Sequence, residues 1–237
     1  TGADLTVDNY TGTLLVADSN GVLVATNAGS ENISVQSGSV MYSCTINVYE
    51  KGDGSEQHPY NIVRAEDLIM LVNNSNSYAY YSQRCDLDLS QYASWAPIGK
   101  LTSPFIGSYN GNGYAIKNMN IVVDKNNIGN YVDSAQTVGG SNGTMLAVGF
   151  FGFVGDPLAG SMSEVLNVSI IDAKIDTTAI EANPNNTNSI DYRHSLNLTQ
   201  SYVGVVAGFV ANAEIKNTLN QELLISSSVN SSIYADD

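Results

Sequence analysis

A pattern of similar residues occurs three times in this chain of 237 residues, and it limits the fold more than any other feature. Each copy has a strand-like segment of small residues and glycine, a turn, and a second segment of the form apolar–x–Asn. Anchored on Ile116, Val165 and Ile215, the copies lie 49 and 50 residues apart although their insertions differ in length. Regular spacing with variable loops is typical of repeats that stack, because each copy must return to the same place. We call them the first copy (105–121), the second copy (148–170) and the third copy (203–217).

Matching positions in the three copies predict which side chains stack on one another. Parallel strands that stack lie about 4.8 Å apart, so inward positions on successive copies must share a size class. We expect matched glycines where the backbone approaches closely, and matched asparagines in a ladder of side-chain hydrogen bonds. The matched sets are Ile106 with Phe151 and Val206, Gly107 with Gly152 and Gly208, and Asn118 with Asn167 and Asn217.

The residues before the first copy predict strands followed by a single helix. Residues 13–26 place an Asp-Ser-Asn-Gly turn between two apolar runs, which indicates a hairpin. Over residues 40–48 apolar and polar side chains alternate, the period of a half-buried strand with Cys44 on its inner face. Residues 51–59 collect turn-forming residues and indicate a boundary. Residues 64–74 carry apolar side chains at i, i+3, i+4 and i+7, which is typical of an amphipathic helix.

A series of short motifs extends over residues 52–118. In order they are G-x-G-x-x-x-x-P-Y, the helix, D-L-D-L, W-x-P-I-G and F-x-G-x-x-x-G-N-G. Together they resemble the opening of GLUG-type repeat regions, which occur in large secreted and cell-surface proteins of bacteria and archaea, adhesins and the leading part of some surface proteases among them. The resemblance implies an all-β fold: a right-handed parallel β-helix, or β-solenoid, with one N-terminal capping helix. We therefore expect a β-rich N-terminal segment in residues 1–50, and a GLUG-like β-helix in residues 51–237 whose capping helix lies near 64–74.

Composition argues against several classes of partner. Nine Lys and Arg against 23 Asp and Glu give a net charge of −14, and no run of basic residues occurs, so we expect no nucleic-acid partner. No apolar stretch approaches the roughly 20 residues of a membrane span. The acidic composition, rich in Asn, Ser and Thr, suits an extracellular location at the cell surface. Thr1 follows neither an initiator Met nor a leader sequence, so we expect a processed or excised polypeptide.

Cysteines and glycosylation sequons fit the same location. We predict a disulfide between Cys44 and Cys85, which lie in predicted strands on either side of the helix; a pair of buried free thiols is the alternative. Eight N-x-S/T sequons, a mild excess over chance, are compatible with a glycosylated secreted chain. A glycan at Asn167 is incompatible with its predicted place in the ladder. The sequons start at Asn9, Asn32, Asn73, Asn142, Asn167, Asn185, Asn197 and Asn230.

We predict no catalytic, cofactor-binding or metal site. His58 and His194 lie in polar loops where a solvated imidazole is the default, and neither a G-x-S-x-G nor an H-E-x-x-H motif occurs. The chain has only three arginines, which is few for a polysaccharide lyase that needs acidic clusters joined to basic residues. Asp86 and Asp88 alternate outward from Leu87; a Ca²⁺ ion between them is one interpretation, and a solvated strand face is the better one.

The aromatic residues leave two interpretations open. Trp95, the only tryptophan, either plugs the core beneath the first copy or offers its ring to a pyranose. The same choice applies to a tyrosine cluster, which either completes the strands or provides carbohydrate or protein contacts. The cluster consists of Tyr78, Tyr80, Tyr81 and Tyr92.

These observations predict a non-enzymatic extracellular surface or appendage protein, adhesin-like or filament-forming. The last residues offer no cap for a final copy, whereas residues 1–50 supply apolar strands that belong to no copy. Homotypic head-to-tail contacts by strand addition follow from this, and a carbohydrate or protein ligand is compatible with it. The alternatives are a carbohydrate-active β-helix enzyme and the non-catalytic leading region of a surface protease. A further alternative is that residues 1–50 form a small independent β-domain or pack along their own repeats.

Overall fold

The computed structural model divides the chain into two compact units. Unit 1 is Thr1–Gly52 and unit 2 is Asp53–Asp237. The residues that the structure describes are 13–18, 22–37, 39–73, 75, 78–124, 126–136, 142–156, 162–178 and 198–226.

Two antiparallel strand pairs make up the described part of unit 1. They are β1 (Leu15–Ala17) with β2 (Leu23–Ala25), and β3 (Gly29–Ser37) with β4 (Val40–Val48). The first pair confirms the hairpin predicted for residues 13–26, whose turn residues 19–21 lie outside the described residues. The second pair confirms the strand predicted over residues 40–48.

The burial of β4 differs from the prediction. Val40 is 48% exposed and Tyr42 is 59% exposed, and Cys44 on the same face is exposed as well. Ile46 and Val48, further along this face, are half-buried. The strand therefore has the alternation of a half-buried strand, but half of its apolar row has no cover in this structure.

A single α-helix occurs among the described residues of unit 2. It is α1 (Ala65–Asn73), and it confirms the helix predicted near 64–74. Leu68 on its inner face is fully buried. The Asp67 carboxylate accepts hydrogen bonds from the backbone N–H of Arg64 at 3.2 Å and from its guanidinium at 3.0 Å. This carboxylate satisfies a donor that the start of a helix leaves without a partner, as in a capping box.

The remaining strands of unit 2 are short and pair mainly in parallel. They are β5 (Tyr60–Ile62), β6 (Tyr80–Gln83), β7 (Leu87–Asp88), β8 (Ser108–Asn110), β9 (Ala115–Lys117), β10 (Asn120–Val122), β11 (Val132–Gln136), β12 (Asn142–Val148), β13 (Phe151–Val154), β14 (Ser163–Leu166), β15 (Ser169–Asp176), β16 (Leu198–Val203), β17 (Ala207–Val210), β18 (Ala213–Lys216) and β19 (Leu219–Ser226). A short 3₁₀ turn, Ile128–Asn130, precedes β11.

Unit 2 contains four sheets in its described part. One sheet has the order β18-β14-β8-β6-β5, with β5 and β18 at its two edges. In a second, β15 pairs with β9 and β10 and also with β19, and β7 lies beyond β9. The other two are β11-β12-β16 and β13-β17. Between the sheets lies one large apolar core that includes Ile116, Phe151, Val165 and Ile175, all fully buried.

The prediction of a right-handed parallel β-helix is wrong. The structure is strand-rich, at 51%, but it combines mixed parallel sheets with a half-barrel and is not a plain right-handed solenoid. The main departure lies in the insertion between the first and second copies, where β11 pairs with β12 in the antiparallel sense. At its other edge β12 pairs in parallel with β16, which makes this sheet mixed. The repeat pattern does not predict β11 or its antiparallel pairing, because β11 belongs to no copy.

The first copy pairs in a register that differs from the predicted one. Val165 pairs with Ile215 as predicted, but its other partner is Tyr109. Ile116, the predicted partner, pairs instead with Ile170. The spacing of 50 residues between the second and third copies is therefore confirmed, whereas the first copy is displaced by seven residues at Tyr109 and by five at Ile116.

Candidate functional site on the outer layer

Four strands at one side of unit 2 have a partner strand along one edge only. These strands, β16 to β19, pair respectively with β12, β13, β14 and β15, and with no other strand among the described residues. We call β16 to β19 the outer layer and their partners the inner layer. The second edge of the outer layer carries rows of backbone N–H and C=O groups, which in an edge strand are available to another strand.

Apolar side chains of the outer layer are exposed at positions where the inner layer is buried. In three pairs matched by strand register, the inner residue is at most 3% exposed and the outer residue at least 39%. The pairs are Ile175 with Ile225, Ala173 with Leu223, and Val154 with Val210. Full burial of a Leu, Ile or Val side chain is worth about 1.5–3 kcal/mol relative to exposure. Covering this layer would therefore contribute several kcal/mol.

A ladder of asparagines crosses the copies and ends on the outer layer. Asn167 Nδ2 donates to Asn110 Oδ1 at 2.9 Å, and Asn217 Nδ2 donates to Asn167 Oδ1 at 3.0 Å. The predicted ladder is thus confirmed for the second and third copies. It is wrong for Asn118, whose Nδ2 donates to Asp88 Oδ1 at 2.9 Å. Every amide in the ladder donates toward the first copy, so the exposed Asn217 leaves its carbonyl oxygen on the outer side.

The ladder predicts where glycans can be attached. An N-glycan replaces a hydrogen on Nδ2, and in Asn167 this nitrogen is the donor to Asn110. Asn32 and Asn73 are exposed and accessible. Peptide mapping of glycosylated protein is expected to find Asn167 unmodified and any glycan at the exposed sequons; a glycan at Asn167 of the folded protein would contradict the ladder. The side chains of the other sequon asparagines lie outside the described residues: Asn9, Asn142, Asn185, Asn197 and Asn230.

The two cysteines are free thiols in this structure. Cys44 is exposed on β4 of unit 1, and Cys85 is half-buried in unit 2, where its Sγ donates to Val63 O at 3.0 Å. Burial raises the pKa of the Cys85 thiol, and the nearby Asp86 carboxylate adds to this effect. The predicted disulfide is not formed here and stays a prediction. Alkylation of the unreduced protein followed by intact-mass measurement tests it, and two added alkyl groups would refute it.

Asp86 and Asp88 use their carboxylates to join strands of unit 2. Asp86 accepts from Lys117 Nζ at 2.6 Å and from the backbone N–H of Ala115 at 2.9 Å. Asp88 accepts from the side chain of Asn118 and from the backbone N–H of Ser90, both at 2.9 Å. These hydrogen bonds lower the pKa of both carboxyl groups.

The lowered pKa values predict a loss of stability in acid. A carboxyl group whose pKa is lower in the folded state stabilises the fold above about pH 4, and the contribution is lost as the pH falls through the folded pKa. We expect Asp86→Asn to lower the melting temperature by about 1–3 °C at pH 7, because Asp86 is exposed and its ion pair is screened. The difference from the parent protein should shrink progressively as the pH falls below about 4. Glu56→Gln, in an exposed loop, is the control, and a difference that persists in acid would contradict the prediction.

Among the described residues, no group of three or more His, Cys, Asp or Glu side chains is placed to hold a metal ion. The Ca²⁺ interpretation of Asp86 and Asp88 therefore has no supporting cluster. His58 is exposed in the loop before β5, and His194 lies outside the described residues.

The aromatic residues that the sequence analysis left open differ in their burial in the structure. Trp95 is 1% exposed, its ring stacks on Phe150 with centroids 5.6 Å apart, and its Nε1 donates to Phe150 O at 3.2 Å. Its interpretation as a core plug is confirmed, and that as a sugar platform is wrong. Of the tyrosine cluster, Tyr81 is 4% exposed and Tyr78 is 58% exposed. The other two, Tyr80 and Tyr92, are half-buried.

Sequence reasoning predicted an uncovered edge after the third copy but did not predict which residues form the exposed surface, and residues 227–237 lie outside the described residues. Leu219, Leu223, Leu224 and Ile225 lie beyond the anchor of that copy, and no fourth copy follows them in the sequence. The apolar segment that follows the third copy was the available signal.

Comparison of the chain with protein-family models, with curated proteins and with solved structures returned no match of any of the three kinds. In the part of the chain that the structure describes, no helix has both the length and the apolar character needed to cross a membrane.

Proposed function

We propose that this protein is a non-enzymatic extracellular surface or appendage protein, adhesin-like or filament-forming. Its molecules join head to tail by strand addition. The observation that carries the proposal is the outer layer, which combines free strand edges with exposed apolar side chains. A strand added there satisfies backbone hydrogen bonds and removes apolar surface from water at the same time.

The distribution of charge supports another molecule of the same protein as the partner. Two molecules of net charge −14 repel one another, so they approach at least cost through surfaces that carry no net charge. In the outer layer β17 has no charged residue and β19 has only Glu222. The two charges of β18 neutralise each other, since Lys216 Nζ lies 2.5 Å from Glu214 Oε1. The outer layer is therefore a surface through which two molecules of the same negative charge can make contact.

Location at the cell surface is supported by two features of the sequence. The motifs of residues 52–118 resemble those of GLUG-type regions in secreted and surface proteins. The chain also obtains its polar surface from Asn, Ser and Thr, with only 14% charged residues against a usual share of about a quarter.

The test is assembly of the full chain, measured by light scattering across a concentration series and by electron microscopy. The parent protein is expected to form larger species as its concentration rises. The double variant Leu223→Lys, Ile225→Lys is expected to remain monomeric, because each lysine places a charge in the apolar contact that assembly would bury. Each lysine also brings the net charge closer to zero, so a loss of assembly cannot come from added electrostatic repulsion between molecules.

Met162→Lys is the matched control. Met162 is 55% exposed and precedes β14, outside the outer layer, so this variant should assemble like the parent protein. Circular dichroism and the melting temperature establish that each variant is folded. A parent protein that stays monomeric at every concentration, or a folded double variant that assembles normally, would refute the proposal.

A further inference from the structure

β4 has the pattern of a strand that covers a core, yet its own chain leaves much of that pattern uncovered. One face carries Val40, Tyr42 and Cys44, all exposed, while the polar Ser43 and Thr45 lie on the other face. Apolar and polar faces that alternate in this way are typical of a strand with one side against a core and the other in water. The uncovered apolar row therefore lacks a partner surface within the described residues.

The free edge and the length of β4 also suit strand addition. Among the described residues β4 pairs only with β3, so its second edge carries no strand. β4 is nine residues long and β19 is eight, so β4 is long enough to pair with β19 if it bends opposite Glu222, whose φ is 53°. A two-stranded sheet alone is marginally stable in water, and pairing with a larger sheet would stabilise it.

We infer that the strand added to the outer layer is β4 of another molecule of this protein. The inference rests on the proposed function and specifies its donor. The row of Val40 and Tyr42 would cover the exposed Leu223 and Ile225, while the polar row of β4 faces water. β4 contains no charged residue, so an uncharged strand meets a layer whose net charge is only −1, from Glu222.

The other strands of unit 1 fit less well. β1 and β2 have three residues each, too few to cover β19. β3 is long enough, but it carries the charge of Glu31 and the sequon at Asn32. Its apolar Ile33 is only 5% exposed and is already covered within this structure.

The first experiment compares two lysine substitutions on opposite faces of β4. Tyr42→Lys removes the most exposed residue of the apolar row, and it is expected to raise the concentration needed for assembly about tenfold or more. Met41→Lys is the matched control: Met41 is 62% exposed on the other face of the same strand, so assembly should change by less than about twofold. Equal effects of the two substitutions would overturn the inference.

The second experiment uses Cys44 as a reporter that the strand already carries. With Cys85 replaced by Ser, a single cysteine is introduced at Gln221, Leu223 or Ile225, one variant for each position. Disulfides form only between Cα atoms about 4.4–6.8 Å apart, so mild oxidation joins Cys44 only to a neighbouring strand. For at least one position we expect a series of covalent oligomers on a non-reducing gel.

Met162→Cys in the same background is the control and should give no such series. A disulfide that forms within one chain, seen as a monomer of altered mobility, would show that a molecule covers its own outer layer and would overturn the inference. The outcomes also separate the two proposals. If lysines at Leu223 and Ile225 abolish assembly but no position bonds to Cys44, the donor is wrong and the proposed function stands. If those lysines have no effect, both fail.

Discussion

Replacement of Trp95 by alanine is expected to lower the free energy of unfolding of unit 2 by about 3–5 kcal/mol, the usual cost of truncating a buried aromatic side chain. The indole ring stacks on Phe150 and meets the ring of Tyr92 edge to face, with both centroids 5.6 Å away. Its Nε1 hydrogen bond to Phe150 O is lost as well, which leaves that buried carbonyl without this donor. The surrounding strands cannot close a cavity of this size without giving up their own pairing.

Chemical denaturation followed by circular dichroism measures this effect. Tyr78→Ala is the control, since Tyr78 is 58% exposed and its removal leaves no cavity; we expect a change within about 0.5 kcal/mol. A cost below about 1 kcal/mol for Trp95→Ala would show that the indole does not hold the core as the structure places it.

Substitution of Gly155 by alanine is expected to cost about 3 kcal/mol or more. Gly155 has φ +83°, a left-handed conformation that a residue with a Cβ adopts at a cost of about 1–2 kcal/mol. A Cβ at this position would also collide with the carbonyl oxygen of Ala211, in the chain between β17 and β18. Backbone cannot rotate aside as a side chain can, so relief requires the outer layer to move away from the inner one, at about 1–3 kcal/mol for an overpacked site.

Gly113 provides a matched control. It has φ +78°, but an added Cβ would meet nothing within 4 Å. Gly113→Ala therefore tests the backbone conformation alone and should cost about 1–2 kcal/mol. Equal unfolding free energies for the two variants would mean that the contact between Gly155 and Ala211 is looser than the structure shows.

Features set by neighbouring residues could be predicted from the sequence. The hairpin of residues 13–26 depends on a turn between two apolar runs, and α1 depends on apolar spacing over a few turns. Both signals lie within about a dozen residues, so the rest of the fold does not alter them. Pairing of the second with the third copy was also predictable, because 50 residues separate Val165 from Ile215.

The register of the first copy could not be predicted, for a physical reason. Asn118 and Asn167 both follow an apolar–x pair and both adopt a left-handed conformation, with φ 57° and 53°. The sequence thus identifies two turns of the same kind, which lie at different corners of the fold. Only the pairing of Tyr109 with Val165 distinguishes the corners, and that pairing depends on contacts distant in sequence. A displacement of eight residues likewise puts Gly99, instead of Gly107, beside Gly152, whose added Cβ would lie 2.5 Å from Gly99 O.

The candidate site was predictable in outline only. The apolar segment after the third copy and the strands of residues 1–50 that belong to no copy are visible in the sequence. Exposure of Leu223 and Ile225 is not, because it depends on which strand edges find partners. For β4 the pattern predicted a buried apolar row, whereas Val40 and Tyr42 are exposed in the structure, and our proposal that β4 is the donor starts from this disagreement.

The asymmetry of unit 2 has a kinetic consequence. One of its two five-stranded sheets ends at β5, near α1, on one side and at β18 on the other, and the asparagine amides all donate in one direction. A polymer joined through the outer layer therefore has two chemically different tips, one with an uncovered acceptor layer and one with an unused β4. If the proposed assembly forms, subunits would add to the two tips with different rate constants, and the polymer would elongate as a polar fibre.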